Sequence, residues 1–276
     1  MNKNKPIIGI LATPFIDNNN QKKIFIKQRF INLIKKNNCI PYIIPYNLNK
    51  EKSISILKNI NGIIFPGSQV GNLYSSREIN NHFIKQKFLV NQIKKINKKR
   101  PLPILGICHG YENLILIELG LIPNKNNIKK TFKNVQADNA YKNTLIFTKK
   151  TNKFKKLYNK SRKVIHNNKL GFYKKNTKTI KSYNIIAFGK DRLNNSFVEI
   201  IKHKTLPFYG FQAHPERNNP ELLIPFFDNC KKSFKLHKTP KILKTKKLFK
   251  SKKEVNCGKY GLAKKTSKKK CCFYKI

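Results

Sequence analysis

A cysteine between two glycines is the first feature of this sequence that could carry chemistry. Residues 104–110 read Ile-Leu-Gly-Ile-Cys-His-Gly, and an amphipathic pattern typical of a helix follows. Cys108 is therefore predicted at a sharp strand-to-helix turn, where small residues such as Gly106 and Gly110 are needed on both sides of a nucleophile. The positive end of the helix is expected to lower the pKa of the thiol and favour the thiolate. A buried, unreactive cysteine is the alternative.

A histidine and a glutamate end a second apolar segment. Residues 206–213 read Leu-Pro-Phe-Tyr-Gly-Phe-Gln-Ala, and His214, Pro215 and Glu216 follow. A cysteine nucleophile needs a base that takes its proton and returns it to the leaving group, and that base needs a partner that sets its tautomer. His214 is predicted as the base and Glu216 as its partner, with Pro215 keeping the segment extended. With Cys108 they form a candidate catalytic triad.

Short apolar segments alternate with helical patterns in the first 120 residues, which predicts βαβ units around a parallel sheet. Ligands bind such sheets beyond the carboxyl ends of the strands, where Cys108 and the turn at residues 65–68 are expected. Strand-like stretches then extend or flank the sheet, and a last helix closes the domain. The predicted strands are 7–11, 40–45, 62–65, 102–107, 144–148, 163–165, 185–188 and 197–201, and the predicted helices are 23–36, 51–60, 79–96 and 221–234.

Three motifs in this order resemble the class I glutamine amidotransferase superfamily and, within it, the γ-glutamyl hydrolases of peptidase family C26, which trim poly-γ-glutamate tails from folates. They are Phe-Pro-Gly-Ser-Gln-Val at 65–70, Gly-Ile-Cys-His-Gly-Tyr-Glu-Asn-Leu at 106–114 and Pro-Phe-Tyr-Gly-Phe-Gln-Ala-His-Pro-Glu at 207–216. The resemblance implies a flavodoxin-like fold, with three α/β/α layers around a doubly wound, mostly parallel sheet. Glu112 stands where amidotransferases usually carry glutamine, which favours hydrolysis over amide transfer.

The resemblance also implies residues around the nucleophile. The backbone amide of His109 and that of Ser68 are expected to bind the oxyanion, with Gly67 beside them in contact with the substrate. Ser68 stands where the family has a second glycine, which matters if that position needs a positive φ. Arg77 is a candidate for binding the glutamyl α-carboxylate, and a solvated surface charge is the alternative for it. No metal or cofactor is required by this chemistry.

Two positions depart from the family pattern. The substrate-contacting histidine of γ-glutamyl hydrolases falls on Asn168, and His166 stands two residues upstream on the same face of the predicted strand. Either His166 replaces the family histidine or the contact is lost, so both residues are candidates for substrate binding. The tryptophan that usually precedes the His-Pro-Glu motif is Ala213, which is expected to widen the pocket.

The composition is strongly basic. The 276 residues include 60 Lys and Arg against 12 Asp and Glu, a net charge of +48, which is typical of proteins that meet nucleic acid, anionic membranes or other polyanions. Abundant Asn, Lys and Ile with no Trp instead favour the compositional drift of an AT-rich genome. We expect one hydrolase domain at 1–237 and a Lys-rich, disordered tail at 238–276. Cys271 and Cys272 follow a basic run, an arrangement that anchors acylated proteins, although a non-specific electrostatic tail is favoured.

The leading hypothesis is a cysteine hydrolase that cleaves γ-glutamyl bonds of folylpoly-γ-glutamates through a thioester on Cys108. Two rivals stay open: a hydrolase of small amines such as γ-glutamyl-γ-aminobutyrate, and a catalytically silent member that binds polyanions. The expected partners are a small γ-glutamyl substrate and, through weak contacts of the tail, polyanions or anionic membranes; a homodimer is left open. The absence of an apolar leader and of a membrane-length apolar stretch predicts a cytoplasmic location.

Overall fold

The structure, a computed structural model, describes residues 5–16, 22–67, 77–137, 140–148, 163–236, 253–256 and 270–275. The strands are β1 (Ile7–Leu11), β2 (Thr13–Ile16), β3 (Lys22–Lys27), β4 (Ile40–Ile44), β5 (Gly62–Phe65), β6 (Ile104–Ile107), β7 (Phe132–Ala137), β8 (Lys142–Thr144), β9 (Ile146–Phe147), β10 (Lys163–Ile165), β11 (Asn168–Tyr173), β12 (Tyr183–Lys190), β13 (Ser196–His203), β14 (Phe208–Phe211), β15 (Lys253–Asn256) and β16 (Lys270–Lys275). The α-helices are α1 (Gln28–Lys36), α2 (Lys50–Asn59), α3 (Arg77–Ile96), α4 (His109–Glu118), α5 (Lys125–Thr131), α6 (Pro215–Asn218) and α7 (Ile224–Leu236). Two 3₁₀ segments are Lys174–Thr179 and Pro220–Leu223.

Five parallel strands, in the order β4-β1-β5-β6-β14, form the centre of the main sheet. Antiparallel strands continue it, because β13 pairs with β14 and in turn with β11 and β12. Every residue of β5, β6 and β14 is buried, as parallel strands covered on both faces require. The carboxyl ends of β5 and β6 lie side by side, which brings the two turns of interest to one edge of the sheet.

Helices cover both faces of this sheet. Phe65 pairs with Gly106, so these two residues share a face, and a Cβ on Gly106 would meet Leu114 of α4. Gly62 lies three positions before Phe65 and faces the other way, where a Cβ would meet Phe226 of α7. The predicted three-layer α/β/α arrangement is confirmed.

The helix predicted at 23–36 is wrong in its first half. Residues Lys22–Lys27 form strand β3, which pairs with β2, and α1 begins only at Gln28. Ile24, Phe25 and Ile26 are all buried, so consecutive side chains are covered rather than one helical face. A run of β-branched and aromatic residues suits a strand that is packed on both sides.

The tail predicted as disordered contains two strands. β16 pairs antiparallel with β3, and β15 pairs with β16, so both segments join the sheet formed with β2. An unpaired strand edge is a template for such pairing, which a composition-based expectation does not take into account. The domain boundary at residue 237 stays a prediction. Among the described residues, no helix is both long and apolar enough to cross a bilayer.

Candidate active site

The turn between β6 and α4 has the geometry that the sequence predicts. Cys108 has φ 53° and ψ −111°, a strained conformation for a residue with a side chain, and α4 begins at the next residue. A Cβ on Gly110 would overlap the carbonyl oxygen of Phe65, and one on Gly106 would lie 2.8 Å from the carbonyl oxygen of Gly110. The two glycines are therefore required by close packing around Cys108, as predicted.

Gly67 brings the cysteine and the histidine together. A Cβ placed on Gly67 would lie 3.1 Å from Cβ of Cys108 and 3.1 Å from Cε1 of His214. These two atoms therefore cannot be farther apart than twice that distance. The turn after β5 thus touches both side chains, and its glycine leaves the space in which they face each other.

His214 follows β14 and is oriented from two sides. Its backbone N–H donates to the carbonyl oxygen of Ile165 at 2.8 Å, and its Nδ1 lies 3.0 Å from Oε1 of Glu216. Pro215 does not keep this segment extended as expected; it is the first residue of α6, where its missing N–H costs no hydrogen bond. Glu216 therefore points back at the imidazole from the first turn of a short helix.

A cationic residue that the sequence did not reveal completes this arrangement. Nε of Arg29, near the start of α1, lies 2.9 Å from Oε1 of Glu216, whose side chain is fully buried. Lys27, immediately before α1, and Arg217 on α6 also act electrostatically on Glu216. Arg29 and Lys27 fall within a predicted surface helix and belong to no motif, so no signal in the sequence marked them.

The ionisation of the triad differs from the expectation of a ready thiolate. Burial, followed by the charge of Glu112, raises the pKa of Cys108 to about 12, and this outweighs Lys27 and the His109 amide, which lower it. Burial likewise lowers the pKa of His214 to about 4. The resting site thus holds a neutral thiol beside a neutral imidazole at neutral pH.

Glu216 carries the negative charge of the triad. Burial alone would raise its pKa, but His214, Arg29 and Lys27 together lower it to about 2. The carboxylate therefore remains ionised and accepts a hydrogen bond from Nδ1 of the imidazole. That hydrogen bond leaves the lone pair of the neutral ring on Nε2.

The residues expected to bind the oxyanion have different outcomes. The backbone N–H of His109 hydrogen-bonds the sulfur of Cys108, so it is directed at the reaction centre. Ser68 lies outside the described residues. The side chain of His109 packs away in a polar layer, with Nε2 3.1 Å from Nδ2 of Asn113 and its ring stacked on His82.

Glu112 lies beneath the nucleophile turn. Its carboxylate accepts a hydrogen bond from Nε2 of Gln212 at 3.1 Å, and its other oxygen lies 3.6 Å from Nδ1 of His109. These contacts tie the first turn of α4 to the residues that lead into His214. The position that separates the two superfamily branches is therefore part of the packing around the triad.

His166 and Asn168 are buried beside the triad rather than exposed to a substrate. Nε2 of His166 lies 2.9 Å from Oε1 of Glu199, and its Nδ1 lies 3.0 Å from Oδ1 of Asn168. Burial lowers the pKa of His166, but the Glu199 charge outweighs it and raises the pKa overall. Arg77 is the exposed first residue of α3, and among the described contacts its side chain does not reach the triad.

Comparisons with known proteins agree with this geometry. A family model described as Peptidase C26 matches residues 6–216. Similar curated proteins include gamma-glutamyl hydrolase B of Dictyostelium discoideum, 25% identical over 230 residues that cover 78% of this chain and 63% of that protein. Gamma-glutamyl hydrolase 1 of Arabidopsis thaliana is 22% identical with the same two coverages, and gamma-glutamyl hydrolase of Bos taurus is 25% identical over 77% of this chain and 68% of its own. The chain thus spans less than two thirds of the first two relatives.

A solved structure supports the fold. The crystal structure of a putative GMP synthase protein from Thermoplasma acidophilum matches with a TM-score of 0.50 and 15% identity, over 82% of this chain and 94% of that chain. At this identity the likeness concerns the fold alone, and it confirms the predicted glutamine amidotransferase-like, flavodoxin-like architecture.

Proposed function

Because the chain belongs to the peptidase C26 family, we propose that it hydrolyses γ-glutamyl bonds with Cys108 as its nucleophile. The observation that carries this proposal is the approach of Cys108 and His214 around Gly67, with Glu216 behind the imidazole. A thiol, a neutral imidazole and a carboxylate in this order are the components that transfer an acyl group from an amide to water.

In the first step, Nε2 of His214 accepts the proton of the Cys108 thiol while the sulfur attacks the γ-carbonyl carbon. Because the pKa of the thiol is high, little thiolate accumulates beforehand, so proton transfer accompanies attack. The oxyanion that forms takes over the His109 amide from the sulfur. His214 then gives its proton to the leaving amine, the C–N bond breaks, and a γ-glutamyl thioester remains on Cys108.

In the second step, water replaces the amine. Nε2 of His214 takes a proton from water as its oxygen attacks the thioester carbonyl, and the proton passes to the departing sulfur. Glu216 stays ionised throughout and stabilises the imidazolium that forms in each step. The products are a γ-carboxylate and the regenerated thiol.

Folylpoly-γ-glutamates are the proposed substrate class. The support is the resemblance of the three motifs, together with a net charge of +48, which favours association with anionic substrates. Small γ-glutamyl amines such as γ-glutamyl-γ-aminobutyrate are the enzymatic alternative. Glu112 and the segment at 207–212 lean away from that branch, and Glu112 packs against Gln212 of this segment.

One observation supports a polyanion-binding role as the second candidate function. A groove of about 500 Å³ lies at the opposite end of the sheet from Cys108, and its lining contains cationic but no acidic side chains. The cationic residues are Lys98, Lys99, Arg100, Lys202 and Lys232. None of the lining residues belongs to the triad, so this role would be independent of the proposed chemistry.

Incubation with a pteroyl-oligo-γ-glutamate tests the proposal. We expect shortened chains with the wild type and with Cys39→Ala, which removes another buried free cysteine, but none with Cys108→Ala. Turnover of γ-glutamyl-γ-aminobutyrate alone would favour the small-amine branch. DNA binding that weakens steeply with salt, without turnover of either substrate, would favour the polyanion-binding role.

A further inference from the structure

The carboxylate of Glu216 is shared between two cationic or proton-donating groups. Oε1 lies 3.0 Å from Nδ1 of His214 and 2.9 Å from Nε of Arg29. The Glu216 side chain is fully buried, whereas 27% of the Arg29 side chain is exposed. A guanidinium therefore reaches from the surface to the same oxygen that orients the catalytic imidazole.

We infer that Arg29 is a positioning residue that holds the Glu216 carboxylate and weakens its attraction for a proton on His214. The inference rests on the proposed function and concerns a residue outside the triad. A carboxylate that is already paired with a cation stabilises an imidazolium less, because part of its charge is neutralised. The same ion pair restricts rotation of the carboxylate and so fixes the direction of the ring.

Other charged groups act on this cluster and must be considered with Arg29. Lys27 precedes α1, Arg217 lies on α6, and the thiol of Cys108 approaches from the β6–α4 turn. Lys27 and Arg29 both lower the pKa of His214, while Glu216 raises it and burial has the largest effect. Among the described ion pairs, only Arg29 contacts the carboxylate of Glu216 directly besides the histidine.

This arrangement has a consequence for the working range of the base. The imidazole must be neutral to accept the thiol proton, so activity falls as the pH drops through the pKa of His214. The Arg29 charge keeps that pKa low and extends activity into the acid range. Without this charge, the acid limb of the pH profile moves to higher pH.

The test compares Arg29→Gln and Arg29→Lys with Arg192→Gln, which removes an exposed arginine that packs on Tyr141 outside the triad. The first readout is the His214 ring titration, followed by NMR on histidine-labelled protein and assigned with His214→Gln. The second is the acid limb of kcat/KM. Arg29→Gln is expected to raise both midpoints by about one pH unit, while Arg29→Lys and Arg192→Gln stay closer to the wild type.

The two readouts separate this inference from the proposed function. If the wild type turns over no γ-glutamyl substrate, the proposed function fails, yet the NMR titration still tests the effect of Arg29 on His214. A His214 midpoint in Arg29→Gln equal to that of the wild type would overturn the inference, even if turnover dropped, because a merely structural loss leaves the midpoint unchanged. Should Arg29→Gln not fold, a midpoint in Arg29→Lys above that of Arg192→Gln supports it and an equal or lower one contradicts it.

Discussion

Replacing His82 with leucine tests how the polar layer beneath the nucleophile turn responds to acid. His82 is fully buried on α3, and its ring stacks on His109 with centroids 6.2 Å apart and planes 22° apart. Neither ring nitrogen has a hydrogen-bond partner among the described residues. Burial, aided by His109, lowers the pKa of His82 from 6.5 to about 3, so the folded protein holds this ring neutral.

The magnitude follows from proton linkage. Below pH 6.5 the unfolded chain protonates His82, whereas the folded chain does so only near pH 3. Stability is therefore complete above pH 6.5 and is lost as the pH falls toward 3, at about 1.4 kcal/mol per pH unit within that window. Between pH 8 and pH 5, His82 alone is expected to reduce the free energy of unfolding by about 2 kcal/mol.

Urea unfolding of the wild type, His82→Leu and His82→Phe at pH 8 and pH 5 measures this contribution. Neither replacement titrates, and phenylalanine keeps a ring against His109, so both variants should lack this part of the acid sensitivity. The stability of each variant relative to the wild type is expected to rise by about 2 kcal/mol from pH 8 to pH 5. An equal difference at the two pH values would refute the argument that His82 is buried in its neutral form.

Three further substitutions probe the packing around the triad. Gly110→Ala is expected to lower the free energy of unfolding by about 3 kcal/mol, since the new Cβ meets the Phe65 carbonyl oxygen and backbone cannot yield; an unchanged melting temperature would contradict this. Gly67→Ala contacts only side-chain atoms at 3.1 Å, so we expect a larger loss of turnover than of stability, checked by kcat and thermal melting together. Glu199→Leu leaves buried His166 without its carboxylate and should cost about 3 kcal/mol, part of which the double variant with His166→Leu recovers in urea unfolding.

The sequence predicts the parts of this site that depend on local patterns. The apolar run before Cys108, the glycines on either side of it and the helix that follows are close in the chain, and together they specify a strained turn. The carboxyl ends of parallel strands meet at one edge, so the turn containing Gly67 and the segment ending in His214 could be expected beside it.

The parts that depend on contacts between distant segments could not be predicted in the same way. Arg29 reaches Glu216 across 187 positions of the chain, and nothing in its own neighbourhood distinguishes it from a surface arginine. The thiol pKa depends on how deeply the turn is covered, which a motif does not report. Burial reverses the expected effect of the helix end on Cys108, because desolvation of the thiolate exceeds the stabilisation by one amide.

A similar reason explains the misassigned segment before α1. Lysines at both ends of the Ile24–Ile26 run resemble the polar face of a helix, but β2 and β16 pair with this run on its two edges. Strand pairing with a segment more than two hundred residues away in the chain overrides the local helical periodicity. The same pairing gives structure to two segments of the basic tail.

Covalent labelling with a γ-glutamyl analogue that carries a diazomethyl ketone at the γ-carbonyl carbon tests the central claim most directly, because it requires both recognition of the glutamyl group and an activated sulfur. Intact-mass and peptide mass spectrometry of the wild type should show one equivalent on Cys108 and none on buried Cys39 or Cys230, with much slower labelling in His214→Asn. Labelling elsewhere in the chain, or labelling of Cys108 at the same rate in His214→Asn, would contradict the proposal that His214 activates this cysteine.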